Sequence, residues 1–125
     1  MSRTPAARPP DAVFRLSNVP NGVDANFRRL LMACTVYRQK YGEWPSQARM
    51  NAALLQDLAR LFDGENFSRL AQHLELRTRY KVGLSVGGRG VIEYEDVDHA
   101  RLDHEVLDLA ERWLAVEPRR DIEHY

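Results

Sequence analysis

From Leu76 to Val86 the chain alternates with a period of two. Leu76, Thr78, Tyr80, Val82, Leu84 and Val86 fall on one side, and Arg77, Arg79, Lys81, Gly83, Ser85 and Gly87 on the other. After Gly88-Arg89-Gly90 the pattern resumes as Val91-Ile92-Glu93-Tyr94-Glu95. Period two sends alternate side chains to opposite faces of a strand, so the segment predicts an antiparallel β-hairpin with one apolar face and one charged or bare face. Pairing Val86 with Ile92 and Leu84 with Tyr94 keeps all four on the core side. That register leaves Gly88-Arg89-Gly90 as a three-residue loop, with Gly90 in the left-handed position such loops use. On the outer face Ser85 then opposes Glu93, and Gly83 opposes Glu95. Gly83, Ser85 and Gly87 carry little side chain, so another chain or a ligand can approach the backbone closely. Cover by the chain's own N-terminal arm or last helix is the alternative.

Before the hairpin the period changes to 3.6. Phe27, Leu30, Leu31, Cys34, Arg38 and Tyr41 form one stripe, with Asp24 as N-cap and Gly42 at the left-handed position that ends helices. Trp44-Pro45 blocks continuation. A second helix is predicted from about Asn51 through Leu55, Leu58, Leu61 and Phe62, ending at Asp63-Gly64. A third starts near Glu65 with Phe67, Leu70, Ala71 and Leu74. After the hairpin, Asp98 or Asp103 caps a last helix with Leu102, Val106, Leu109, Ala110 and Trp113 on its apolar stripe, ended by Pro118. The predicted fold class is α+β: three N-terminal helices, an antiparallel β-hairpin and one C-terminal helix. Residues 1–22, with four prolines, read as a flexible arm, 23–117 as one compact domain and 118–125 as a polar tail.

Length and composition agree with a single domain: 125 residues, 44% hydrophobic and 29% charged. No apolar run approaches the roughly 18 residues of a membrane span, and the N-terminus has no apolar signal core, so a cytoplasmic, membrane-free protein is expected. The single Cys34 excludes an internal disulfide. The zero net charge hides a gradient: residues 1–50 carry +5, 51–90 carry +2 and 91–125 carry −7. Such asymmetry suits two halves that attract each other within the fold or across a dimer. It also suits a polyanion-binding half.

No cofactor motif is present. Gly87-Gly88-Arg89-Gly90 lacks the Lys-Ser/Thr of a phosphate loop and lies between strands, so hairpin geometry explains it. Asp96, Asp98, His99, Asp103 and His104 form the densest acid–imidazole cluster, but their spacing matches no zinc motif, and helix capping accounts for the acids. Asp96, Asp98, His99 and His104 are weak metal candidates. Cys34 on an apolar stripe reads as a structural thiol. Tyr37, Tyr41 and Trp44 could stack a base or anchor a partner, but also suit the wall of a small core.

Three helices followed by a hairpin invite a winged-helix reading. Arg69, Gln72 and His73 would then lie on a recognition helix, and Arg77, Arg79, Lys81 and Arg89 would make a basic wing. The acidic Asp63-Gly64-Glu65 turn and the acidic segment after the hairpin argue against it. The candidate contact residues, for a protein partner or nucleic acid, are Arg77, Arg79, Lys81, Gly83, Ser85, Arg89, Arg69 and Gln72. With no catalytic motif, the leading expectation is a non-enzymatic interaction or regulatory protein and candidate homodimer. A nucleic-acid binder comes second and a small metal-dependent enzyme third.

Tyr41-Gly42-Glu43-Trp44-Pro45, Arg49-Met50, the Leu-rich helix to Phe62, then Phe67 and Leu70 resemble a family of small bacterial proteins with a Tyr-Gly-x-Trp-Pro segment. The resemblance covers roughly residues 36–116. It implies a compact prokaryotic α+β domain and carries over no activity or site residue.

Overall fold

The structure, a computed structural model, describes residues 25–119. The expected arm at 1–22, the Asp24 cap and the tail beyond Arg119 lie outside these residues. The described chain is α+β, with four α-helices and a four-stranded mixed sheet. Helix α1 (Ala25–Tyr41) leads to strand β1 (Gln47–Met50), then helices α2 (Ala52–Leu61) and α3 (Gly64–His73). Strands β2 (Glu75–Thr78), β3 (Leu84–Gly87) and β4 (Val91–Glu93) follow. Two short 3-10 turns lead to helix α4 (His104–Leu114).

The sheet order is β2-β1-β3-β4. Its hairpin, β3 with β4, keeps the register expected from sequence: Val86 faces Ile92 and Ser85 faces Glu93. The rest of the sheet differs from the sequence reading. A strand at 47–50 separates the first helix from the second, and it was not expected. The alternating run from 75 to 87 is two strands rather than one. β2 pairs parallel with β1, Ala48 against Leu76, and β3 pairs antiparallel with β1 on its other side, Ala48 against Val86. The break falls at 79–83, where Gly83 has φ +106°. The expected Leu84–Tyr94 and Gly83–Glu95 pairs do not form, because the β3–β4 ladder ends at Glu93 and Tyr94 enters a 3-10 turn.

One face of the sheet, carrying Ala48, Met50, Leu84, Val86 and Ile92, is buried. Against it runs α1, whose Leu30, Leu31, Met32, Ala33, Cys34 and Thr35 are all buried. The expected single stripe is therefore too narrow: the sheet, α2 and α4 enclose this helix from several sides. Thr35 is tolerated inside because its hydroxyl donates to the Leu31 carbonyl at 2.8 Å.

Local signals explain most helix ends. Gly42 has φ +77° and returns its N–H to Arg38 O. Asp63 accepts from the Asn66 N–H at 2.8 Å, and Asp103 caps α4 through Val106 N–H at 2.9 Å. Asp98 caps only the second 3-10 turn. Asn51 precedes α2 but gives that helix no side-chain cap; its Oδ1 accepts from Gly83 N–H instead. α4 ends before Pro118, at Ala115, a non-glycine residue with φ +55°. Leu109, expected on the apolar stripe, is exposed, and Leu107 and Leu114 are buried in the core.

Candidate functional site

The face of the sheet turned away from α1 carries Gln47 and Arg49 from β1, Glu75 and Arg77 from β2, Ser85 and Gly87 from β3, and Val91 and Glu93 from β4, by alternation with the buried positions. Over it hangs a cavity of about 340 Å³, lined in part by Arg49, Arg79, Ser85, Gly87, Val91 and Glu93.

Arg79 closes one wall. Its Nη1 donates to both carboxylate oxygens of Glu93 at 3.0 Å, its Nε to Lys81 O at 3.0 Å and its Nη2 to Val82 O at 3.4 Å. The side chain is only 14% exposed, and that of Glu93 25%. One guanidinium thus fixes the loop between β2 and β3 and bridges to β4, and Gly83 leaves it room, since a β-carbon there would meet Nη2 at 3.3 Å. The loop so held presents Tyr80, fully exposed, and Val82, 79% exposed.

The other basic candidates are likewise paired. Arg77 meets Glu75 at 2.5 Å, Lys81 meets Glu95 at 3.3 Å and Glu93 at 3.8 Å, and Arg89 meets Glu43 at 2.9 Å. Arg49 is different: among the described residues its guanidinium has no partner. It stands opposite Ser85 on one side and Arg77 on the other. Ser85 is only 4% exposed, and its hydroxyl is also unpartnered. Sequence reasoning named Ser85 and missed Arg49, because the strand that carries Arg49 was missed. The signal available was the short Gln47-Ala48-Arg49-Met50 alternation, too brief to stand alone.

The hairpin tip does not project. Arg89 N–H donates to the Tyr37 hydroxyl at 2.5 Å, and Gly90 N–H points to the same oxygen at 3.4 Å. Gly90 is not left-handed as expected; it is needed because a β-carbon would overlap the Tyr41 hydroxyl. A wing reaching out from the body is therefore not the geometry of residues 88–90. Tyr37 is fully buried. Trp44 stacks on Trp113 at 4.6 Å between ring centres, Arg38 lies 4.7 Å from the Trp44 ring, and His73 meets the Trp113 edge at 5.3 Å. These aromatics join the ends of α1, α3 and α4.

On α3, Arg69 is drawn onto α4: its Nη1 donates to Ala115 O at 3.0 Å and its Nη2 to Glu65 at 3.0 Å. Gln72 is exposed, and His73 Nδ1 lies 3.0 Å from Arg69 O. The weak metal candidates Asp96, Asp98, His99 and His104 are not assembled: among the described residues no group of three or more His, Cys, Asp or Glu is placed to hold a metal. His99 Nε2 lies 2.7 Å from the Tyr94 hydroxyl. Burial pushes the Tyr94 phenol up, partly offset by the hydrogen bond and charge of Arg29. Burial likewise pushes the Cys34 thiol far up, so it is no nucleophile in the folded protein. No helix among the described residues is long and apolar enough to cross a membrane.

Comparison with protein-family models, curated proteins and solved structures finds no match for this chain.

Proposed function

We propose that this chain is a non-enzymatic interaction protein that contacts a protein partner, in the simplest case a second copy of itself, through the β2–β3 loop and the neighbouring hairpin. The observation that carries this reading is the Arg79 latch, which restrains a loop holding Tyr80 and Val82 in water. A large aromatic on a restrained loop loses little conformational entropy on docking, and Tyr is enriched where binding energy concentrates. Arg77 and Lys81, paired but about half exposed, flank these apolar groups as a polar rim would. The test is sedimentation of the full chain over a wide concentration range, alongside a Tyr80→Ser, Val82→Ser double variant. Association that weakens in the folded double variant supports the reading. A chain that stays monomeric at high concentration and retains no partner in pull-down ends it.

A nucleic-acid reading draws on one observation: Arg49 and Arg77 are register partners, two cations side by side with a single carboxylate, Glu75, bonded to one of them. It requires salt-sensitive retardation of DNA or RNA that weakens in Arg77→Ala. No retardation at low salt removes it.

A further inference from the structure

We propose that the outer face of the sheet binds a small monocarboxylate, gripped by the Arg49 guanidinium and the Ser85 hydroxyl. These two residues are direct partners across β1 and β3, and both line the cavity of about 340 Å³. Each lacks what the other's neighbours have. The surrounding cations Arg77, Arg79 and Lys81 are matched to Glu75, Glu93 and Glu95, whereas the Arg49 guanidinium has no partner among the described residues. Ser85 as a residue is only 4% exposed, and among the described residues its hydroxyl has no hydrogen-bond partner. A ligand oxygen between them would satisfy both groups.

Charge selects the ligand. Among the lining side chains Arg79 and Glu93 neutralise each other at 3.0 Å, which leaves one uncompensated positive charge, on Arg49. A monoanion matches it; a phosphate dianion would leave a negative charge near Glu93. The planar guanidinium presents two parallel donors that fit the two oxygens of a carboxylate, and the serine hydroxyl can donate to one of them. The body of the ligand would lie beside the exposed Val91, bordered by the Gln47 side chain, whose Cγ is 3.6 Å from where a β-carbon on Gly87 would stand. That setting favours a compact apolar body such as a benzene ring or a branched alkyl group. The volume lies at the small end of ordinary ligand sites.

This site uses neither the Tyr80 nor the Val82 side chain, although Arg79 borders both it and their loop. Sodium benzoate is the probe, titrated into the labelled full chain and followed by amide and Arg Nε resonances. Saturable shifts are expected at Arg49, Ser85, Gly87 and Val91, with a dissociation constant on the order of millimolar, ordinary for a ligand of about nine heavy atoms. Arg49→Gln should weaken binding roughly tenfold or more, since a charge-assisted hydrogen-bond pair is lost. Arg49→Lys, which keeps the charge but not the fork, should fall between the two, and Ser85→Ala should weaken binding severalfold. Inorganic phosphate at matched ionic strength should not displace benzoate, and Tyr80→Ser should leave its binding unchanged. Absence of saturable shifts at these residues, unchanged affinity in Arg49→Gln or Arg49→Lys, or equal competition by phosphate would each overturn the proposal.

Discussion

The Arg79 guanidinium holds both carboxylate oxygens of Glu93 at 3.0 Å and, from the same side chain, the carbonyls of Lys81 and Val82. The end of β2, the loop that follows it and β4 converge there. Removing the guanidinium leaves a partly buried carboxylate and two loop carbonyls without donors. Arg79→Ala is expected to destabilise the protein by about 1–3 kcal/mol, read by urea unfolding, and to speed amide exchange at Val82 and Gly83. Arg79→Lys should recover only part of this, because a single ammonium cannot span the same set of acceptors.

Backbone conformation yields opposite outcomes at three small residues. Gly90→Ala collides with the Tyr41 side chain and is expected to cost roughly 1–3 kcal/mol. Gly64 begins α3 with nothing within 4 Å of a new β-carbon, so Gly64→Ala should stabilise by about 0.4–1 kcal/mol through the unfolded chain. Ala115 sits at φ +55°, where a β-carbon is strained, and Ala115→Gly should gain about 0.5–1 kcal/mol. Thermal melts of the three variants check all three signs.

Asp63 governs part of the acid limb of stability. The Asn66 backbone N–H, foremost, holds its carboxyl below the usual range, with the Asn66 side chain, the Glu65 N–H and the Arg119 charge adding to the effect against a smaller opposing desolvation. A depressed carboxyl contributes stability that is fully present above its unfolded value near 3.8 and is lost as pH falls through the lower folded value. Asp63→Asn should therefore flatten the melting temperature against pH below about pH 4 and change its shape little near neutrality.

Cys34 should be silent until the fold opens. Its thiol is buried in α1 and its ionisation is suppressed by burial. Ellman's reagent at mildly alkaline pH is expected to label the native chain only at the rate of structural opening, and to label it at once in denaturant. Rapid stoichiometric labelling of the native protein would contradict the packing around α1.

The four helices were legible because each carries several turns of 3.6-residue spacing and its own stop signals, such as Gly42 at the end of α1 and Asp63 at the start of α3. The hairpin register was legible for a similar reason: Val86 and Ile92 must both face inward, and only one short loop allows it. β1 was not legible. Its four residues bury only Ala48 and Met50, and they are a strand because β2 and β3 bond to them from either side, partners more than 25 positions away in the chain. With β1 hidden, Arg49 could not enter the candidate site, and Ser85 lacked the neighbour that gives its hydroxyl meaning.

The sequence by itself determined the helical stripes, the Gly42 stop of α1 and the Asp63 start of α3, whereas Tyr80 and Val82, expected on the apolar side of the alternating run, stand in water. The stripes, the stop and the start are properties of neighbours along the chain, set by periodicity and by local capping. Only the tertiary structure decided which carboxylate answers each cation. The same alternating run from 75 to 87 is compatible with one long strand or two, and the choice depends on β1 lying between β2 and β3 and on Gly83 turning at φ +106°. Ion pairing acts over a few ångströms in space, so Arg79 finds Glu93 and Arg89 finds Glu43 across separations that no local pattern encodes, and Arg49 has no ion-pair partner among the described residues.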